Sequence, residues 1–484
     1  MAQEEKSIIR SLADPTIKLE ELSFADIDEG TSKTGETRGE KNQKQMGDNI
    51  PFVRVNGYTL FPDELIRFAI DCTGFLPLLS LQFILTGSTT FLSKNFPKDG
   101  DIVNVFIRGR NDLFKPIRND YIITKVSSNG GVNSQSAGTT ISISGYLNVP
   151  GIIDEVTLCK SGTSYEALQQ IADDLGLGFA SNETSTNDYQ NWLCVRDSFN
   201  NFIPEIASCS WKDENSFFDV FVDVYYHLNF INVNNQFSNQ TEIDDALLDV
   251  LMTHDAFEGD KISQAKAKKV FANINDFSGT NMFINKFKLV NNSYNIANIY
   301  GYKMFAEFFE QNTLEKWEIF SEPLIVEGSE KDKILLKGRP NDDSYKNSVR
   351  KRWLGIQYTL PEHNVHEKHA FSMVHNLINN KELDKLQVHI EVPRANFNIY
   401  RGERIPCVIA SSDDALKSKI MESGENVEGE NSDTSKDPGA ITIDKFYSGY
   451  YMIAGMIFSY TAFNNGPGQL TETVQLTRRE WPTP

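Results

Sequence analysis

Cysteine, tryptophan and positive charge are all scarce in this 484-residue chain, and each scarcity removes a class of function. The five cysteines, Cys72, Cys159, Cys194, Cys209 and Cys407, are odd in number and widely scattered. No two have the close spacing of a zinc or redox motif, so free buried thiols are expected, in keeping with a reducing compartment during folding. With only 5 Trp there is no aromatic platform of the kind that grips sugars. Lys and Arg number 47 against 66 Asp and Glu, a net charge of −19, which argues against a surface built to hold nucleic acid or an anionic membrane. Long apolar runs are missing as well. The most apolar stretch, residues 68–85, contains Asp71, Pro77 and Gln82 and reads as buried strands rather than a membrane span. The opening Met1-Ala-Gln-Glu-Glu-Lys is acidic and lacks the basic and apolar regions of a secretory signal, so a soluble protein is expected.

Catalytic motifs fail on inspection. Gly30-Thr-Ser-Lys-Thr-Gly35-Glu36-Thr37 has the outline of a phosphate loop, but Glu36 stands where the phosphate-binding lysine is needed and would repel the ligand. Asp26-Ile-Asp28-Glu-Gly30 approaches a calcium loop, yet its glycine comes one residue early and no closing ligand follows. His363, His366, His369 and His375 crowd one segment. A metalloprotease helix spaces its histidines four apart, whereas His366-Glu-Lys-His369 is one residue too short. These histidines are therefore expected on a partly solvated helix, and no catalytic, cofactor-binding or metal-ligating residue is assigned.

What the chain does contain is an internal echo. Gly100-Asp-Ile-Val-Asn-Val-Phe-Ile107, Asp120-Tyr-Ile-Ile-Thr-Lys-Val126 and Thr140-Ile-Ser-Ile-Ser-Gly145 share a layout with Gly402-Glu-Arg-Ile-Pro-Cys-Val-Ile409, Gly449-Tyr-Tyr-Met-Ile-Ala-Gly-Met-Ile457 and Thr473-Val-Gln-Leu-Thr-Arg478. Each set reads as a glycine turn entering a strand, a second strand, and a third that closes the unit. Hydrophobic content of 40%, charged content of 23% and 11% aromatics, with 32 Phe and 17 Tyr, fit a folded, β-rich protein of several domains.

The expected class is thus α+β and β-rich, with two similar β modules, which the resemblance described below implies are β-barrel modules. A polar, flexible N-terminal tail covers residues 1–49, with no apolar periodicity in its charged part. The first β-barrel module spans 50–155, an α/β unit 156–234, an α+β middle domain 235–384, and the second β-barrel module 385–484 with an acidic loop at 411–439. Thr163-Ser-Tyr-Glu166 has the form of a capping box, Leu168, Ile171, Ala172 and Leu175 follow at helical spacing, and Gly176 supplies the stop. In Ser216-Phe-Phe-Asp-Val-Phe-Val-Asp-Val-Tyr-Tyr226, the residues Phe217, Val220, Phe221 and Val224 share a helical face, so a second helix is expected before the strand-like Leu228-Asn-Phe-Ile-Asn-Val233. The middle domain should carry a helix at residues 244–252 and strands in Phe283-Ile-Asn-Lys-Phe-Lys-Leu-Val290 and Trp317-Glu-Ile-Phe320.

Thr163-Ser-Tyr-Glu-Ala-Leu-Gln-Gln-Ile-Ala-Asp-Asp-Leu-Gly-Leu-Gly-Phe179, Trp192 and residues 217–232 resemble the central region of baseplate hub proteins of contractile-tailed bacteriophages. So do Val365-His-Glu-Lys-His-Ala-Phe-Ser-Met-Val-His-Asn376, Leu386-Gln-Val-His-Ile390, Asn396-Phe-Asn-Ile-Tyr-Arg-Gly-Glu-Arg-Ile-Pro406, Ser448-Gly-Tyr-Tyr-Met-Ile453 and Thr473-Val-Gln-Leu-Thr-Arg478. The resemblance covers most of the chain beyond residue 50 and rests on the order of its parts. It implies a non-enzymatic homotrimer whose two barrels per chain make a ring of six alike units. That ring would join a central spike to the tail tube, meet the tube, tape measure and wedge proteins, and let DNA pass without specific binding. It also implies a place in the virion tail baseplate, after assembly in the cytoplasm of the host bacterium, with no cofactor and no membrane. Hubs of contractile injection systems and tailocins share the design. Two rival classes find less support: a hub-associated enzyme cutting peptidoglycan needs paired carboxylates in a cleft, and no recognisable lysozyme or peptidase segment is present, while a carbohydrate-binding β protein is disfavoured by the sparse Trp.

Overall fold

The computed structural model describes residues 51–60, 64–86, 96–107, 117–130, 138–237, 270–273, 282–291, 303–310, 316–321, 333–335, 351–359, 365–384, 386–397, 399–410, 444, 447–463, 466–478 and 480–482. The N-terminal tail with its two rejected loop motifs, His363, the expected helix at 244–252 and the acidic loop 411–439 lie outside the described residues.

The architecture is α+β and β-rich, as the composition implies. The first strands are β1 (Phe52–Val55), β2 (Tyr58–Thr59), β3 (Leu65–Asp71), β4 (Leu78–Thr86), β5 (Ile102–Ile107), β6 (Ile117–Gly130) and β7 (Gly138–Leu147). The expected apolar run at 68–85 is β3 and β4. The first alternates Phe68 and Ile70 inward with the exposed Arg67 and the half-buried Ala69 and Asp71, the period of a strand with one face on the core.

A smaller unit follows, with β8 (Glu155–Gly162), α1 (Ser164–Leu175), β9 (Gly178–Ser181), β10 (Gln190–Ser198), α2 (Phe199–Ser208), β11 (Phe218–Val222) and β12 (His227–Asn232). Helix α1 starts as expected: the Thr163 hydroxyl accepts from Glu166 N, the Glu166 carboxylate accepts from Thr163 N, and Gly176 closes the helix at φ 73°. Ala167, Leu168, Ile171, Ala172 and Leu175 are its buried face. The helix expected over 216–226 does not form, because those residues make β11, paired antiparallel with β12. Aromatic and branched residues satisfy either period, and the turn decides between them. The Asp223 carboxylate accepts from Tyr225 N and His227 N, bending the chain back on itself, and Tyr226 takes φ 60°. Helix α2, in contrast, was not expected; it carries Pro204 within it and buries Phe199, Phe202, Ile203, Ile206 and Ala207.

The later strands are β13 (Phe271–Ala272), β14 (Lys286–Asn291), β15 (Lys303–Glu310), β16 (Lys316–Ser321), β17 (Lys333–Leu335) and β18 (Lys351–Thr359). Helix α3 (His369–Asp384) then leads to β19 (Leu386–Val392), β20 (Arg404–Val408), β21 (Gly449–Phe463), β22 (Gly466–Thr477) and β23 (Glu480–Pro482). Strands were expected near residues 283–290 and 317–320, and β14 and β16 lie there. Strands from both ends of the chain join one 13-stranded sheet, ordered β14-β19-β22-β21-β3-β4-β7-β6-β5-β1-β2, with β20 on β21 and β13 on β20. Strands β16, β15 and β18 form a separate sheet, and β17 pairs with β23.

One core packs the first strands against α1, α2 and β12, and it takes in Phe458, Tyr460 and Leu470 from the far end of the chain. A second core lies among β13, β14 and β19–β22.

Candidate functional site

The echo seen in the sequence is a match of strand pairing, residue for residue. Gly100, at φ 88°, donates its N–H to the Ile123 carbonyl (2.8 Å), and Ile123 N returns a bond to the Asp101 carbonyl (2.9 Å). Gly402, at φ 84°, donates to Ile453 O (2.7 Å), and Ile453 N returns one to Glu403 O (2.9 Å). In both turns the acidic residue after glycine accepts from the backbone three residues earlier: Asp101 from Lys98 N at 2.8 Å, Glu403 from Tyr400 N at 3.3 Å. Glycine is favoured because this conformation is strained for a residue with a Cβ.

The equivalence extends through five strands. Ile102 faces Ile122 as Arg404 faces Met452, which sets Tyr121 against Tyr451, both fully buried. The pairing of β6 with β7 slips between Ile123 and Lys125, and that of β21 with β22 slips at the same place, between Ile453 and Gly455. A bulge repeated at one position is a specific feature, since it bends and twists its strand there. Following the pairs outward, Leu81 on β4 corresponds to Ile390 on β19, and Phe68 on β3 to Phe287 on β14. Strands β3-β4-β7-β6-β5 therefore correspond to β14-β19-β22-β21-β20. The echo in the sequence held three strands of this set, while the other two, β14 and β19, stand on either side of β15–β18 and α3.

The two sets meet through β3 and the distal half of β21. Ile457 faces Asp71, Phe458 faces Ile70, Ser459 faces Ala69 and Tyr460 faces Phe68, while Cys72 N donates to Met456 O at 2.8 Å. Phe68, Ile70, Phe458 and Tyr460 are all buried, so this junction is apolar as well as hydrogen-bonded.

Arg401, one residue before Gly402, locks the turn to the rest of the molecule. Its guanidinium donates to the Gly74 carbonyl (2.6 Å) and the Asp219 carboxylate (2.9 Å), and it lies 4.3 Å from the Phe221 ring centroid. Nearby on β22, the fully buried Glu472 accepts from Asn396 N at 2.7 Å, while its Oε1 has no hydrogen-bond partner among the described residues. Burial pushes this carboxyl up to about 8. The first module has Ile141 at the corresponding place.

The histidine segment is a packing device. His366 lies in the turn before α3, and His369 and His375 are buried rather than partly solvated as expected. Gln190 Oε1 accepts from His366 N (3.2 Å) and His369 Nδ1 (3.0 Å), and His366 Nε2 donates to Cys209 O (3.0 Å). Trp192 lies beside both rings, and Trp211 meets His375 edge-on at 5.8 Å. Burial lowers the His369 imidazole to about 4, with the nearby His366 adding to the effect. Asn376 completes the seam, accepting from Phe218 N and donating to Ser208 O and Ser210 O. Two stretches distant in sequence, 190–192 and 365–376, are thus one contact. No cluster of three potential metal ligands occurs among the described residues. Cysteines 72, 194, 209 and 407 are buried free thiols as expected, but Cys159 is exposed on β8.

No protein-family model matches the chain, and no curated protein is similar to it in sequence. Its structural neighbours include tail proteins and PdpA–VgrG complexes. A tail protein of Neisseria meningitidis is 10% identical with a TM-score of 0.45, over 89% of this chain and 97% of that one. The 43 kDa tail protein of prophage MuSo2 from Shewanella oneidensis is 9% identical with a TM-score of 0.45, over 89% and 98%. The half-lidded Francisella PdpA–VgrG complex is 8% identical with a TM-score of 0.38, over 99% and 67%. All three are distant likenesses.

Proposed function

We infer that this chain is a structural, non-catalytic hub subunit of a phage tail baseplate. The observation that carries this is the register-matched pair of five-strand modules, one after the other in a single sheet. A polypeptide with two alike modules supplies twice as many equivalent places as subunits, and three copies would supply six. Head-to-tail contacts close into a ring when the rotation fits, so such a subunit reconciles a threefold spike with a sixfold tube. The order of parts in the sequence, which resembles that of baseplate hubs, supports the same reading.

On this reading the tube protein meets the ring of six, the spike meets the threefold face, and tape measure and wedge proteins attach around them. DNA crosses the bore without specific binding. The net charge of −19 fits an acidic lining that phosphates do not adhere to; a basic bore in an assembled ring would rule that lining out. The site of action is the virion tail, and assembly takes place in the host bacterial cytoplasm.

Mass measurement in solution combined with negative-stain imaging tests the reading. The expected result is a threefold ring with a central hole, and a compact monomer under every assembly condition would overturn it. Release of fragments from added peptidoglycan would overturn its non-catalytic part.

A further inference from the structure

The junction inside the chain specifies a second one between chains. Strand β3 of the first module covers the distal half of β21 in the second. By the strand correspondence, β14 is the counterpart of β3, and the distal half of β6 is the counterpart of that part of β21. Among the described residues these two do not meet within one chain: β14 ends the sheet, and β6 pairs only with β5 and β7. Their exposure differs accordingly. Phe287 is 39% exposed where its counterpart Phe68 is fully buried, and Ser127, Ser128 and Asn129 are exposed where Phe458 is buried and Ile457 and Ser459 are half-buried.

We propose that β14 of one copy adds to the open edge of β6 in a second copy, antiparallel, repeating the register of the β3–β21 junction. Ser127 then faces Val290, Ser128 faces Leu289, Asn129 faces Lys288 and Gly130 faces Phe287. Val126 O accepts from Asn291 N of the other copy, as Met456 O accepts from Cys72 N within the chain. The occupant is a second copy because only this chain offers a strand whose equivalent is already seated on the equivalent edge. Each copy uses a different edge at its two ends, so the contact is heterologous and propagates around a ring. The inference rests on the hub reading and adds which edges close the ring.

The chemistry of the two junctions differs in a useful way. Inside the chain, phenylalanine, isoleucine and tyrosine side chains are buried with the ladder. Between chains, Ser127, Ser128 and Asn129 meet Val290, Leu289 and Lys288, so one side of the ladder is polar and main-chain bonds do most of the joining. Lysine on a strand edge resists unspecific pairing. Each hydrogen bond adds only about 1 kcal/mol, so a single junction is weak and closure draws on all the junctions of the ring forming together.

Cross-linking tests the register. In full-length protein with the exposed Cys159 replaced (C159S), Asn129→Cys and Lys288→Cys place thiols at a directly opposed, non-hydrogen-bonded position, where strand Cα atoms approach to about 4.5 Å, within disulfide range. Oxidation across a concentration series, read by non-reducing mass, should give chain-to-chain disulfides. A slipped control pairing Asn129→Cys with Leu289→Cys should give about tenfold fewer, because a one-residue slip sends the side chain to the other face. Circular dichroism of each variant confirms the fold. Equal yields from the two pairs would overturn the register, as would a disulfide formed within one chain. A ring visible by negative stain without cross-linking sinks this inference and leaves the hub reading standing. A monomer at every concentration with no cross-link sinks both.

Discussion

Arg401 and Asp219 form an ion pair at 2.9 Å that ties the glycine turn of the second module to the edge of β11. The guanidinium also donates to Gly74 O and stacks on Phe221, so three parts of the chain converge on one side chain. Asp219 is about one-third exposed, so the ion pair itself is screened, and the bond to the carbonyl and the contact with the ring add to it. Arg401→Ala should lower stability by about 2 kcal/mol, measured by urea unfolding. Arg401→Lys should recover less than half, since an ammonium cannot bridge both oxygens and stack. Full recovery by lysine would mean that charge alone matters here.

The two glycine turns have the same backbone and different surroundings. A Cβ on Gly100 meets nothing within 4 Å, whereas one on Gly402 would come within 2.8 Å of Ile231 Cδ1. Gly100→Ala should therefore lose only the strain of the left-handed conformation, about 1 kcal/mol. Gly402→Ala should lose about 1 kcal/mol more, because the buried Ile231 must turn aside. Thermal unfolding of the two variants side by side checks the difference; equal losses would contradict it.

These comparisons show why part of the fold could be read from the chain and part could not. A glycine that needs positive φ at a strand entry leaves a visible mark, so the turns at Gly100 and Gly402 and the strands after them were legible. So was α1, whose capping box and glycine stop are local. Strand β14 belongs beside β19, with β15–β18 and α3 between them in sequence, and nothing near Lys286 announces that partner. The hairpin at Asp223 was misread because Phe217, Val220, Phe221 and Val224 fit a helical face as well as a strand. Burial of His369 depends on Gln190 and Trp192, and hence on a contact that only the folded chain makes.

Glu472 makes stability depend on pH. Its folded pKa of about 8 lies above the ordinary value of 4.5, so below pH 4.5 it is protonated in both states and the stability linked to it is fully present. As pH rises from 4.5 to about 8 the unfolded chain loses its proton first, and stability falls by about 3 kcal/mol on reaching neutrality. Glu472→Gln keeps an acceptor for Asn396 N and removes the titration. The stability difference between variant and parent should move in the variant's favour by on the order of 4 kcal/mol between pH 4.5 and pH 8. Parallel stability profiles for the two proteins would show that the carboxyl titrates normally.

His369 works in the opposite direction along the pH axis. Burial, and then the neighbouring His366, hold its imidazole neutral down to about 4, below the ordinary 6.5. Its contribution is fully present above pH 6.5 and is lost as pH falls toward 4, because the unfolded chain takes up the proton first. The loss is on the order of 3 kcal/mol, and it falls on the seam between α3 and β10, where Gln190 Oε1 accepts from His369 Nδ1. Hydrogen exchange should therefore show α3 loosening at pH 4.5 before the β3–β4 strands do. His369→Gln keeps a donor for Gln190 without a titrating ring, and the stability difference between variant and parent should move in the variant's favour by on the order of 3 kcal/mol as pH falls from 6.5 to 4. If the variant and the parent lose stability equally over that interval, the acid sensitivity lies elsewhere in the molecule.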